Sequence, residues 1–195
     1  MILNLEFFKN KIGMPRIMFL DIDGVLCTMR SHFAFGDKKL LMESWDITVC
    51  QMIRTLCEDF NFKIVISSTW RMHNKSSSEL RTHLATYGLI DYLFEGKGER
   101  KKWFYGSEDK SWEWRTKNLK YNGEEENGHR IRRGLEIDEW LKRHPFISDY
   151  IIVDDDSDMM EKQMSHFIKV KDSSEGFSSK NFEDIFNRYS DRYTK

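Results

Sequence analysis

The amino-acid sequence predicts an α/β fold: a doubly wound parallel sheet with helices on both faces and a small cap-like insertion. Three observations predict it. Short, continuously apolar runs end abruptly in polar residues, as strands buried on both faces of a parallel sheet do. Stretches with helical spacing lie between these runs, so strands and helices alternate. Three polar clusters each follow directly on such a run, at the edge where doubly wound sheets bind ligands.

In chain order, Arg16-Ile17-Met18-Phe19-Leu20 is the first strand and runs into Asp21. Ile47 to Phe60 is a helix, with Val49, Ile53, Leu56 and Phe60 three and four residues apart. Lys63-Ile64-Val65-Ile66 is the second strand and runs into Ser67. Ser77 to Tyr87 repeats Leu80, Leu84 and Tyr87 at helical spacing and stops at Gly88, a C-cap residue. Gly134 to Arg143 sets Leu135, Trp140 and Leu141 near one face and is halted by Pro145. Tyr150-Ile151-Ile152-Val153 runs into Asp154, Phe167-Ile168-Lys169-Val170 is a fourth strand, and Phe182 to Tyr189 is a closing helix. Residues 96–128 carry no regular period, and Asn122-Gly123 and Asn127-Gly128 are turn signals. They read as an insertion over the mouth of the site, so the expected organisation is one domain over 1–195 with 96–128 inserted.

Charged side chains make up 32% of the 195 residues but nearly cancel, to −1, so overall charge points to no anionic partner. Cys27, Cys50 and Cys57 cannot all pair and lack metal-site spacing, which suits reduced thiols. No cleavable leader pattern and no membrane-length apolar run is present. A soluble cytoplasmic protein is expected, with no membrane association and no obligatory protein partner.

Asp21-Ile22-Asp23-Gly24 at a strand end delivers two carboxylates toward one side, because alternate strand residues point the same way. One carboxylate can attack phosphorus while the other protonates the leaving oxygen. Gly24 permits a sharp exit. Carboxylates this close repel each other and a phosphate dianion, so a divalent cation is expected between them. Asp154-Asp155-Asp156-Ser157-Asp158 supplies further acids, and hard oxygen ligands indicate Mg2+. Donors for phosphate oxygens are available at Ser67-Ser68-Thr69 and at Arg71, Arg132 and Arg133.

These residues resemble the haloacid dehalogenase (HAD) superfamily of phosphohydrolases, whose four motifs they match in order from about Ile17 to Asp158. The resemblance implies a Rossmannoid core and an aspartyl-phosphate mechanism. Asp21 would be the nucleophile, and Asp23 the general acid and base, binding metal through its main-chain carbonyl. Ser67 would hold the phosphoryl group, and Asp154 and Asp155 would complete a Mg2+ site, with Asp158 a candidate for its outer shell. Arg133 is chosen for the third-motif cation, with Arg130 and Arg132 as competitors. Ser68, Arg71 and Arg132 would contact substrate. A closer similarity, to HAD domains of RNA and DNA end-repair proteins, rests on three segments. These are Ser68-Thr69-Trp70-Arg71, Arg133-Gly134-Leu135-Glu136-Ile137 before Trp140-Leu141, and Val153-Asp154-Asp155-Asp156.

That similarity implies a phosphorylated nucleic-acid 3′ end as substrate. Lys97 to Lys120 carries eight basic and four acidic side chains, a net of +4, with aromatics interleaved, which suits a nucleic-acid strand. A nucleoside monophosphate is the alternative substrate, ahead of a sugar phosphate. A phospho-accepting receiver and a non-catalytic nucleic-acid-binding module are the competing classes. Trp70 is expected as a packing residue.

Overall fold

The computed structural model describes residues 15–34, 44–71, 77–95, 113–120 and 122–190. Most of the basic, aromatic part of the expected insertion (Lys97 to Trp112, and Tyr121) lies outside them. The elements in order are β1 (Arg16–Leu20), α1 (Met29–Ala34), α2 (Ile47–Phe60), β2 (Phe62–Ile66) and α3 (Ser77–Thr86). They continue with β3 (Glu125–Glu126), β4 (His129–Arg130), α4 (Arg132–Arg143), β5 (Tyr150–Asp154), β6 (Phe167–Lys169) and α5 (Ser179–Ser190).

β1, β2, β5 and β6 form one parallel sheet in the order β2-β1-β5-β6. Alternate residues of β1 serve opposite faces. Met18 and Leu20 join Val49, Ile53, Leu56, Leu80, Leu84 and Ile185 in a core shared with α2, α3 and α5. Ile17 and Phe19 join Ile137 and Trp140 of α4 on the other side. Helices therefore cover both faces, which is why the strands read as unbroken apolar runs. The chain leaves β1 toward β2 on one side and later returns to pair β5 on the other. The direction of winding thus reverses between β1 and β5, and such a crevice is where doubly wound sheets place ligands.

Local chemistry sets the helix ends. The Asp46 side chain accepts from Thr48 N and Val49 N to start α2. Ser178 and Asn181 exchange hydrogen bonds around the first turn of α5, so that helix begins three residues earlier than its apolar period indicates. Asn127 and Gly128, both at positive φ, make the two-residue turn joining β3 to β4. Residues 114–116 run along the outer edge of β2, where Ile66 N donates to Trp114 O at 2.8 Å and Thr116 N to Ile66 O at 3.0 Å. Trp114 is buried in the sheet core. No helix among the described residues is long and apolar enough to cross a membrane, and the three cysteines are free thiols.

Candidate active site

Asp21 N donates to Val153 O at 3.0 Å, carrying the pairing of β1 with β5 one residue past the strand and setting Asp21 beside Asp154. The chain then turns at Gly24, whose φ of 68° is in the left-handed region. A Cβ there would lie 2.2 Å from Asp155 Oδ2, so the absence of a side chain at Gly24 makes room for that carboxylate. The turn also separates the two acids of the first motif. Asp21 is buried, whereas Asp23, already off the strand, is exposed.

Asp21, Asp154 and Asp155 each present an oxygen within 4.8 Å of the others. Asp21 Oδ1 and Asp154 Oδ2 are buried without a hydrogen bond. Burial pushes the Asp21 carboxyl up to about 6, against the opposing pull of Arg133 and a hydrogen bond from Ser68. Burial, then the neighbouring Asp21, raises Asp154 well above the ordinary carboxylate range. Asp155 is raised as well, by burial and by Asp156. Two buried carboxylates, each with an unsatisfied oxygen, and a partly buried third form an all-oxygen donor set of the kind that suits a small, hard divalent cation. The Asp23 carboxylate is not among the three, which leaves its main-chain carbonyl as the group nominated by resemblance.

The cation facing this cluster comes from α4. Its N-cap, Ile131, offers no side-chain bond, and Asp158 caps from a distance: Oδ2 accepts from Arg133 N at 3.1 Å and the main-chain O from Gly134 N at 3.0 Å. A Cβ at Gly134 would sit 2.5 Å from Met160 N, so only glycine lets the helix start press against that loop. Arg133 then lies with Nη2 3.9 Å from Asp21 Oδ1 and Nε 3.4 Å from Asp154 Oδ2. Arg132 turns away, donating to Asn118 Oδ1 at 3.0 Å, and Arg130 is exposed on β4. Asp158 serves the helix and stands outside the carboxylate cluster.

At the end of β2, Ser67 N donates to Leu20 O at 2.9 Å, and the Ser67 hydroxyl accepts from Thr116 Oγ1 at 3.4 Å. The neighbouring Ser68 carries the hydroxyl that bonds Asp21. A 3-10 turn, Thr69–Arg71, follows. Trp70 Nε1 donates to Asp23 Oδ1 at 2.7 Å, so Trp70 does more than pack. Arg71 is buried and donates to Ser68 O and to the Glu136 carboxylate. Burial lowers its pKa to about 10, leaving it charged near neutrality but committed to these partners.

Sequence reasoning assigned no role to Glu136, Thr116 or Lys169. Glu136 is 1% exposed and ties Arg71 to Arg133, whose Nη1 is 3.7 Å from Glu136 Oε2. The signal was present: Arg133, Glu136, Ile137 and Trp140 share the inward face of a helix at spacings of three and four. Lys169 donates to Asp155 O and to Ser157 Oγ, bracing the acidic loop from β6. Thr116 lies in a stretch without period, and no local signal marks it.

A family model described as the HAD domain in Swiss Army Knife RNA repair proteins matches residues 17–182. The chain belongs to this family. No curated protein and no solved structure matches it. Membership supports a phosphatase-type function in RNA repair, and the matched span of this HAD domain holds every residue of the cluster described above.

Proposed function

We propose that this HAD domain is a Mg2+-dependent phosphomonoesterase that removes the 3′-phosphate from a nucleic-acid end through an aspartyl-phosphate intermediate. The observation that carries the proposal is the buried Asp21 carboxylate. One oxygen makes no hydrogen bond, two further carboxylates stand beside it, and the guanidinium of Arg133 faces it. A nucleophile needs such an uncommitted oxygen.

In the first half-reaction an Asp21 oxygen bonds to phosphorus while the bond from phosphorus to the leaving oxygen breaks. Asp23 donates its proton to that oxygen. In the second, water bonds to phosphorus as the bond to Asp21 breaks, and Asp23 takes the water's proton. Arg133 supplies positive charge for the phosphoryl oxygens, and the hydroxyls of Ser67 and Ser68 supply hydrogen bonds to them. A divalent cation held by Asp21, Asp154 and Asp155 would screen the repulsion between nucleophile and phosphate. The family supports a nucleic-acid end as substrate, as does the basic, aromatic composition of residues 97–120. A cytoplasmic setting suits the free thiols.

The test is phosphate release from 3′- and 5′-phosphoryl RNA and DNA oligomers, nucleoside 3′- and 5′-monophosphates and sugar phosphates. Release is expected to be fastest from 3′-phosphoryl oligomers, lost with EDTA, and lost in Asp21→Asn. Equal rates on mononucleotides would reassign the substrate to a nucleotidase. Turnover retained by Asp21→Asn would remove the mechanism.

A further inference from the structure

Asp23 is the exposed member of the acid pair, and an exposed aspartate ordinarily samples several rotamers. Here one turn holds both of its oxygens. Trp70 Nε1 donates to Oδ1 at 2.7 Å, and Thr69 Oγ1 approaches Oδ2 at 3.4 Å. The indole is itself anchored. It meets Trp45 edge-on at 5.8 Å and His83 edge-on at 5.7 Å, while Trp45 stacks on Tyr87 at 5.3 Å. The Tyr87 hydroxyl accepts from Trp45 N at 3.0 Å, tying this aromatic group to the residue that follows α3. Packing alone would be served by phenylalanine. Phenylalanine lacks the N–H, and the N–H is spent on the acid.

We propose that Trp70 is a positioning residue for the acid–base step, its indole N–H fixing the Asp23 carboxyl toward the leaving oxygen. This rests on the assignment of Asp23 as the acid. With Oδ1 taken by the short indole bond, Oδ2, whose contact with Thr69 is longer, is the oxygen left to exchange a proton with the leaving group. That proton passes to the leaving oxygen as its bond to phosphorus breaks, and Oδ2 regains one from the attacking water. Trp70 neither gains nor loses a proton in either step.

The experiment compares two esters in wild type and Trp70→Phe. In p-nitrophenyl phosphate the leaving oxygen departs without a proton. In a 3′-phosphoryl oligonucleotide it is an alkoxide and requires one. The quantity compared is kcat/KM, which stops at phosphorylation of Asp21 and so isolates departure of the leaving group. Trp70→Phe is expected to lower kcat/KM on the oligonucleotide by roughly 10- to 100-fold. On the nitrophenyl ester the change should stay within about 3-fold. Equal losses on both esters would mark a merely structural role, and unchanged values on both would remove any role; either overturns the proposal. A wild type inactive on both esters refutes the phosphatase assignment and this proposal together. If the Phe variant fails to fold, the indole N–H resonance of Trp70 decides. It should move upfield in Asp23→Ala as its acceptor is lost, and an unmoved resonance overturns the proposal.

Discussion

Glu136 is the side chain whose removal should be felt most in stability. It is 1% exposed, its Oε2 takes Arg71 and lies 3.7 Å from Arg133, and its Oε1 accepts from Leu119 N at 3.3 Å. Glu136→Ala leaves two guanidiniums out of water with their shared counter-charge gone. Removing one partner of a buried ion pair costs about 3–5 kcal/mol. In a domain of this size each kcal/mol lowers Tm by about 2–4 °C, so a fall of roughly 6–20 °C is expected. Against total stabilities of about 5–15 kcal/mol this cost is a large fraction of what holds the domain folded. The double variant Arg71→Met, Glu136→Gln removes both charges and should recover part of the loss, because no buried charge of that pair is then left without its partner. Thermal denaturation of wild type, both Glu136 variants and Arg71→Met, monitored by circular dichroism, measures all of this. A Tm change under about 2 °C in Glu136→Ala, or a double variant no more stable than Glu136→Gln alone, would refute the reasoning.

Gly24→Ala should weaken Mg2+ binding measured by calorimetry, since its Cβ would displace Asp155 Oδ2 from 2.2 Å and left-handed backbone costs a further ~1 kcal/mol; unchanged affinity would contradict the described turn. Arg133→Met should reduce kcat by about 100-fold or more, while Arg132→Met should change it less than about 3-fold, with steady-state kinetics on one ester separating them. The pH dependence follows from Asp21, whose carboxyl is raised from 3.8 to about 6 in the fold. Between these values the folded state keeps a proton that the unfolded chain has released, so metal-free stability falls as pH rises from about 4 to 6. Metal-free Asp21→Asn should accordingly melt above wild type at pH ~7.5. The Tm gain from Mg2+ should shrink between pH ~7 and ~5, as the ligands must be deprotonated, and an equal gain at both pH values would count against the assigned ligands.

The sheet and its ligand edge were legible because the evidence for them is local. An apolar run that stops dead at Asp21, Ser67 or Asp154 carries its own burial pattern, and the spacing from Val49 to Phe60 does the same for α2. α1 was not legible, since six residues are too few to show a helical period. The start of α4 at Arg132 was also missed, because its cap is Asp158, supplied from 25 residues away in the chain.

Sequence alone determined which residue types stand at the edge of the sheet: the acids at 21, 23, 154 and 155, the hydroxyls at 67 and 68, and a choice of arginines. Tertiary structure alone decided how these divide. The turn at Gly24 buries Asp21 and leaves Asp23 exposed, although their spacing suggests equal placement. Packing of Ile137 and Trp140 under the sheet fixes the rotation of α4, so Arg133 faces the carboxylates while Arg132 faces Asn118. Glu136 draws Arg71 away from any open position and into the protein. Residue identity is a property of the chain, but which side chain reaches an ion or a phosphate depends on rotations of about 100° per helical residue. Only packing between elements distant in sequence can set those rotations.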